Sequence, residues 1–130
     1  MTGADRTAYN FAALRVVPDV ATGAFANVGI ILHARTAGYL DVRLVRDPEL
    51  LRARFPGLDV GMLCRYLAAY ERICRGDPAA GPVALLPPSE RFHWLTAPRS
   101  DVLQSSPVHE GVSDDPALAL EELFARHVRL

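Results

Sequence analysis

Three strand-like segments follow one another within residues 9–45, and this succession constrains the fold more than any other feature of the chain. The segments cover residues 9–17, 25–33 and 39–45, and residues typical of turns, including Pro18, Asp19 and Gly23, separate them. Apolar and polar residues alternate with a period of two in the third segment, as they do in a half-buried strand. The pattern therefore predicts an N-terminal meander of three antiparallel strands.

The alternation predicts which residues form the core. The even positions of the second and third segments, from Ala26 to Leu32 and from Leu40 to Leu44, are apolar and should face the helices. The opposite side, called here the polar face, is expected to carry Arg15, Asn27, Gly29, Asp41 and Arg43. The first segment is apolar on both sides, which is typical of a strand that is central or covered twice.

Helix signals follow the meander. Asp47 and Asp59 are suited to cap a short helix and a longer one over residues 60–75, and Asp115 precedes a last helix over 116–128. Glu71 falls within the apolar stripe of the longer helix, so it requires a partner, and an arginine is expected. The run RFHWL at 91–95 is interpreted as a fourth strand, and residues 102–104 as a short fifth one.

These elements predict an α+β fold: a single two-layer domain over residues 9–130, preceded by a flexible tail at 1–8. Its antiparallel sheet is expected to have four to five strands, with the helices at 60–75 and 116–128 packed on one face. A chain of 130 residues, half of them hydrophobic, has the size of one such domain.

Composition narrows the classes of function. The formal net charge is −1 and there is no basic run, which argues against nucleic acid as a partner. Cys64 and Cys74 lie about 15 Å apart on one predicted helix, too far for a disulfide. Free thiols, the absence of an apolar signal core and the absence of an apolar run of about 20 residues predict a cytoplasmic protein that does not enter a membrane.

Motifs of known chemistry are missing. The sequence holds no glycine-rich phosphate loop and no serine nucleophile elbow, and its histidines are not spaced as metal ligands. We therefore predict no catalytic residue, no metal and no cofactor. His109, in the polar stretch SSPVHEG, is singled out because a histidine among polar loop residues can bind an anion or transfer a proton; Arg99 lies nearby in the chain.

Two functions remain open for the polar face. The candidate binding residues are Arg15, Asn27, Gly29, Asp41, Arg43, Arg99 and His109. The first hypothesis is a non-enzymatic partner-binding or regulatory accessory module, whose partner is another protein or a second copy of the chain. The alternative is a small enzyme or anionic-ligand-binding domain, which requires the SSPVHEG stretch to fold over the polar face. Simple cross-strand pairing of these polar residues would explain them without any function.

The opening stretch YNFAALRVVPDVATGAFANVGIIL resembles the signature of the bacterial domain-of-unknown-function family 3037. The matching positions are Tyr9, Arg15, Pro18, Asp19, Gly23, Phe25, Asn27 and Gly29, whereas Ala24 replaces the family's acidic residue. Residues 91–116 resemble the family's second block. The resemblance implies an uncharacterised protein that is often encoded beside a HipA-like kinase-fold protein, and hence an accessory or toxin–antitoxin-type role with that partner.

Overall fold

The computed structural model describes residues 6–99 and 101–130, which form an open antiparallel sheet with helices on both faces. Its strands are β1 (Thr7–Val16), β2 (Ala26–Ala34), β3 (Tyr39–Leu44), β4 (Leu103–Ser105) and β5 (His109–Ser113). Its α-helices are α1 (Pro48–Arg54), α2 (Val60–Cys74), α3 (Pro88–Leu95) and α4 (Pro116–His127). The α+β class and the single small domain predicted from the sequence are confirmed.

The sheet is built around β1. β3, β2 and β1 form the predicted meander, and β4 and β5 share the other edge of β1. β4 pairs with residues 14–16 of β1 and β5 pairs with residues 7–11. The predicted count of up to five strands is therefore confirmed, with β4 close to the predicted position.

The fourth strand predicted at residues 91–95 is wrong, because these residues belong to α3. A short apolar run does not distinguish a buried strand from a buried helix. Pro88 occupies the first turn of α3, where its missing N–H costs nothing, and Phe92 and Leu95 are buried. The remaining strand of the sheet is β5, which begins within the polar stretch SSPVHEG.

The helices at 60–75 and 116–128 pack on opposite faces of the sheet, so the predicted packing on one face is wrong. Ala12, Leu14 and Val16 of β1 face α1, α2 and α3, and this side is called the α2 face. Ala13 of β1 shares the other side, the α4 face, with an apolar strip of β2 that α4 covers. That strip consists of Ile30, Leu32 and Ala34, packed against Ala119, Leu120 and Leu123.

A β-bulge in β2 decides which face each β2 residue takes. Leu14 lies opposite Gly29 whereas Arg15 lies opposite Asn27, so Val28 is an extra residue in β2. Val28 and Ile31 consequently join the core of the α2 face, and Ile30 joins the core of the α4 face. The expectation that all even positions of β2 face one core is therefore wrong.

The capping residues in the sequence predict the starts of three helices correctly. The side chains of Asp47, Asp59 and Asp115 each accept a hydrogen bond from a backbone N–H in the first turn of α1, α2 and α4. Glu71 is 8% exposed and pairs with Arg46 and with Arg75, whose Nη1 lies 3.1 Å from its carboxylate. The predicted arginine partner of Glu71 is thus confirmed.

Two further features concern the predicted solution behaviour. Cys64 and Cys74 are both free thiols, and burial together with the nearby Asp41 raises the pKa of Cys74 to about 12. None of the described helices is long and apolar enough to cross a lipid bilayer.

Residues 1–5 of the predicted tail lie outside the described residues, and β1 begins at Thr7.

Replacing Gly29 by alanine should destabilise the fold. A Cβ at Gly29 would overlap Leu44 Cδ2 and lie 2.8 Å from the backbone oxygen of Arg43, so the β2–β3 pair would have to shift. We expect the free energy of unfolding to fall by about 1–3 kcal/mol, measured by urea denaturation. Gly57→Ala is the control, because no atom lies within 4 Å of its Cβ position. Equal stability of the two variants would contradict the packing role of Gly29.

Candidate functional site

A cleft of about 410 Å³ opens on the α4 face between the C-terminal end of α4 and the edge formed by β1 and β5. This α4 cleft is lined by polar side chains around an aromatic floor. Among the lining residues are Phe11, Arg15, Asn27, His109, Arg126 and His127. Three of them, Arg15, Asn27 and His109, were candidate binding residues in the sequence, and three distant segments of the chain bring them together.

Arg15 and Asn27 lie opposite each other on β1 and β2, and both have incomplete hydrogen bonding. The Asn27 side-chain amide donates to the backbone oxygen of His127 at 3.0 Å, which ties β2 to the end of α4. Its Oδ1 atom is buried and has no partner in the described chain, and the same is true of Nε of Arg15. A buried polar atom without a partner costs about 1–3 kcal/mol, so a folded protein rarely keeps two of them side by side without a use for them.

The guanidinium of Arg15 is held by an aromatic ring and not by a carboxylate. Its central carbon lies 3.9 Å from the centroid of the Phe25 ring, an arrangement that leaves the charge uncompensated. Burial lowers the pKa of Arg15, but a guanidinium stays protonated at neutral pH. A partly buried cation without a carboxylate partner attracts an anion.

The charge around the cleft is predominantly positive. Within residues 6–99 and 101–130, neither Arg15 nor Arg126 forms an ion pair, although five other pairs are present. His109 and His127 add two imidazoles, and Glu110 is the one acidic residue among the lining side chains. Arginine binds carboxylate and phosphate oxygens through two parallel hydrogen bonds, so this set of groups suits an oxyanion.

The ring of Phe11 forms the aromatic floor of the cleft, and both imidazoles pack against it. Its ring centroid lies 5.4 Å from that of His109, its partner across β1 and β5, and 6.1 Å from that of His127. The SSPVHEG stretch therefore does not fold over the polar face as a loop. It adds β5 to the sheet edge and thereby brings His109 to the cleft.

The serine in the cleft is committed to the fold. The Ser106 hydroxyl accepts a hydrogen bond from the backbone N–H of Ala13 at 2.9 Å and donates to the Pro107 oxygen at 2.8 Å. It thus bridges the break between β4 and β5. A serine nucleophile needs a free hydroxyl next to a base, and Ser106 has no such arrangement in the described chain.

The other sequence candidates lie outside the cleft. Arg43 pairs with Glu121 of α4 at 3.4 Å, and Asp41 accepts from Arg75 Nε at 3.2 Å, so the fold itself occupies both side chains. Gly29 lies opposite Leu44 on the α2 face. Arg99 lies over Trp94, 4.3 Å from the ring centroid, among residues that include β4 and α2 side chains.

Sequence reasoning missed Arg126 and His127. In the sequence alone, both suit the favourable interaction of cations with the C-terminal end of a helix dipole and carry no further signal. Only the docking of α4 on the sheet turns that helix end toward Arg15, and no local pattern reports this docking. In the part of the chain that the structure describes, no group of three histidine, cysteine, aspartate or glutamate side chains is placed to hold a metal ion.

A five-stranded antiparallel sheet, covered by helices on both faces and carrying a cationic cleft at one edge, defines a small α+β domain. The chain belongs to the family described as "Protein of unknown function (DUF3037)", whose model matches residues 11–128. This match confirms the resemblance found in the sequence. No curated protein and no solved structure is significantly similar to the chain.

His33 is a buried histidine on the α2 face, and its protonation makes the stability of the fold depend on pH. His33 is 6% exposed, and burial, followed by the charges of Arg35 and Arg91, lowers its pKa below the ordinary value of 6.5. As the pH falls below 6.5, the unfolded chain takes up this proton before the folded one does. The contribution of neutral His33 is therefore complete above that pH, and its loss is complete once the pH lies below the folded pKa.

We expect His33→Gln to flatten the decline of stability between neutral pH and about pH 5, measured by urea denaturation at several pH values. His93→Gln is the control, because His93 is exposed on α3. The comparison concerns the slope against pH and not the absolute stability, which a buried glutamine lowers at every pH. An unchanged slope in His33→Gln would contradict the assignment.

Proposed function

We propose that the protein is a non-enzymatic regulatory or accessory module that holds an anionic group of its ligand in the α4 cleft. The observation that carries the proposal is the pair formed by Arg15 and Asn27, which face each other in one cleft with a buried donor and a buried acceptor unsatisfied. A ligand that combines an oxyanion with a hydrogen-bond donor matches this pair.

The ligand's anion is a phosphate or a carboxylate. The guanidinium of Arg15 has five N–H donors, none of which bonds to a group of the described chain. Arg126 and the two imidazoles supply further donors among the residues that line the cleft. The ring of Phe11 between His109 and His127 offers a flat apolar surface to the part of the ligand next to the anion.

The cleft favours binding over catalysis because, in the described part of the chain, its imidazoles have no carboxylate that orients them and its serine hydroxyl is not free. A general base works through a partner that orients its imidazole, as a carboxylate does in a catalytic triad. Neither His109 nor His127 hydrogen-bonds to a carboxylate in the described chain, and the Ser106 hydroxyl is already engaged on both sides. A small enzyme that uses the same cleft is the alternative, and it would require the ligand itself to complete the catalytic group.

The accessory role includes a protein partner, either the HipA-like neighbour that the resemblance implies or a second copy of the chain, in a bacterial cytoplasm. Two exposed aromatic side chains support a protein partner: Tyr66 of α2 and Trp94 of α3 are 43% and 38% exposed. Aromatic residues are enriched at the centres of protein interfaces.

Co-expression with a HipA-like protein, of the kind that the resemblance implies as a partner, tests this part of the proposal. We expect the two proteins to elute together in size-exclusion chromatography, and the chain to gain thermal stability from the complex because a partner that binds only the folded state stabilises it. A chain that elutes alone at micromolar concentration, with an unchanged melting temperature, would contradict it.

Anion binding is tested by thermal denaturation with inorganic phosphate, pyrophosphate and citrate as probes. An anion at 100 times its dissociation constant should stabilise the wild type by about 2.7 kcal/mol. Arg15→Gln should lose most of this gain. Arg43→Gln is the matched control, because Arg43 also lies on the α4 face but is paired with Glu121 outside the cleft. The proposal fails if none of the three probes raises the melting temperature, or if both variants respond alike.

A further inference from the structure

We propose that a groove on the α2 face binds an extended, acidic segment of a partner protein, which adds a strand to the free edge of β4 and inserts an aromatic or aliphatic side chain between α2 and α3. This inference rests on the partner-binding part of the proposed function and is independent of the α4 cleft, which lies on the opposite face. It specifies the surface and the chemistry of the partner, neither of which follows from the resemblance.

The groove has a buried apolar floor and an aromatic rim. It measures about 190 Å³ and lies where α2, the end of α3 and β4 converge. Leu14 and Leu95 are almost fully buried beneath it, and the Tyr70 hydroxyl is satisfied by the Leu95 backbone oxygen at 3.2 Å. Tyr66 and Trp94 stand at its rim. Such a depression accepts one large apolar side chain, as the central pockets of protein interfaces do.

The edge of β4 beside this groove has unpaired backbone groups. The N–H of Val17 donates to the oxygen of Val102, and the N–H of Ser106 donates to the oxygen of Ala13. Because hydrogen-bonded and non-hydrogen-bonded pairs alternate in an antiparallel ladder, the peptide groups of Leu103 and Ser105 point away from β1. No other described residue pairs with them along that edge.

A free edge next to a pocket is the arrangement used in β-strand addition, in which backbone bonds supply affinity and pockets for alternate side chains supply specificity. The Leu103 and Ser105 side chains lie on the α2 face together with their partners Val16 and Leu14. A strand added outside β4 therefore directs every second side chain toward the groove. Pro107, which has no N–H, ends the usable edge and limits the docked segment to a few residues.

The charge around the groove selects an acidic segment. Arg99 stacks on Trp94 and donates to its backbone oxygen at 2.7 Å, which fixes the guanidinium at the rim. Arg65 and Arg72 are exposed and lie about one helical turn before and after Ala69, a residue that lines the groove, and neither forms an ion pair in the described chain. Asp101, whose carboxylate accepts from the N–H of Val102, is the one acidic lining residue. Carboxylates of a partner would complement these arginines.

The test uses the whole chain and a display library of random linear peptides of about ten residues, longer than a typical strand. We expect the selected peptides to share acidic residues around one aromatic or aliphatic anchor. Trp94 is the one tryptophan of the chain, so its emission reports groove occupancy directly when a tryptophan-free selected peptide is titrated. Selection of peptides without acidic residues, or of no peptide at all, overturns the proposal.

Two substitutions in the groove and one control variant separate the groove from other surfaces. Arg99→Glu should weaken the selected peptide at least about tenfold, since it puts like charges face to face. Arg54→Glu, which also removes an arginine over an aromatic ring but lies on α1 outside the groove, should leave its affinity unchanged. Ser105→Pro removes one outward N–H without touching a bond to β1 and should also weaken the peptide. Circular dichroism confirms that each variant is folded, and Arg99→Gln replaces Arg99→Glu if the latter is not.

The outcomes distinguish this proposal from the one on which it rests. Peptide binding that is insensitive to Arg99→Glu overturns the peptide groove. Trp94 emission that changes with protein concentration alone also overturns it, because the groove would then bind a second copy of the chain. If the HipA-like protein does not bind but the selected acidic peptides do, the choice of partner is wrong and the groove stands. If the HipA-like protein binds Arg99→Glu as well as it binds the wild type, the groove is overturned.

Discussion

Burial of β1 on both faces is the constraint on which the rest of the structure depends. Its residues alternate between the core beneath α2 and the core beneath α4, so neither side of the sheet can be left to water. Covering the second side requires α4, and docking α4 turns the side chains at its C-terminal end toward β1. The α4 cleft is thus a result of how the central strand is covered, and its walls come from elements that are far apart in the chain.

The bulge at Val28 performs a second task within the same sheet. Without the extra residue, the alternation along β2 would turn Asn27 toward the core of α2, together with Gly29 and Ile31. With it, Asn27 faces Arg15 on the other side and donates to the carbonyl oxygen of His127 at the end of α4. β-Bulges commonly redirect a side chain at functional positions. Here the redirected side chain is one of two in the described part of the chain that keep a buried polar atom without a hydrogen bond.

Much of the fold was predictable because it is encoded locally. The meander follows from alternation and turn residues, and the helix starts follow from Asp47, Asp59 and Asp115, whose carboxylates act within a few residues. What failed depends on contacts distant in sequence. The short run at 91–95 reads equally well as strand or helix, β5 exists only because β1 offers an edge, and the face chosen by α4 is set by β2 residues about ninety positions earlier.

The same division applies to the candidate sites. Arg15, Asn27 and His109 were conspicuous in the sequence because polar residues interrupt an apolar strand or stand in a polar stretch. Asp41 and Arg43 looked alike for the same reason, yet they complete ion pairs with Arg75 and Glu121. Pairing across layers cannot be read from alternation within a strand. For that reason the sequence identified the polar residues but did not show which of them form ion pairs within the fold.

Leu14 and Arg15 are consecutive residues of β1 that serve different surfaces. Leu14 lies under the groove of the α2 face, and Arg15 lines the cleft of the α4 face. A single peptide bond therefore joins the two sides, and the register shift of the β1–β2 pair falls at the same position. Ligands on the two surfaces would then share a mechanical element. Any preference of one ligand for a particular setting of this peptide must appear, by thermodynamic reciprocity, as an equal change in the affinity of the other. One sheet, a single strand thick, thus separates the two surfaces at Leu14 and Arg15.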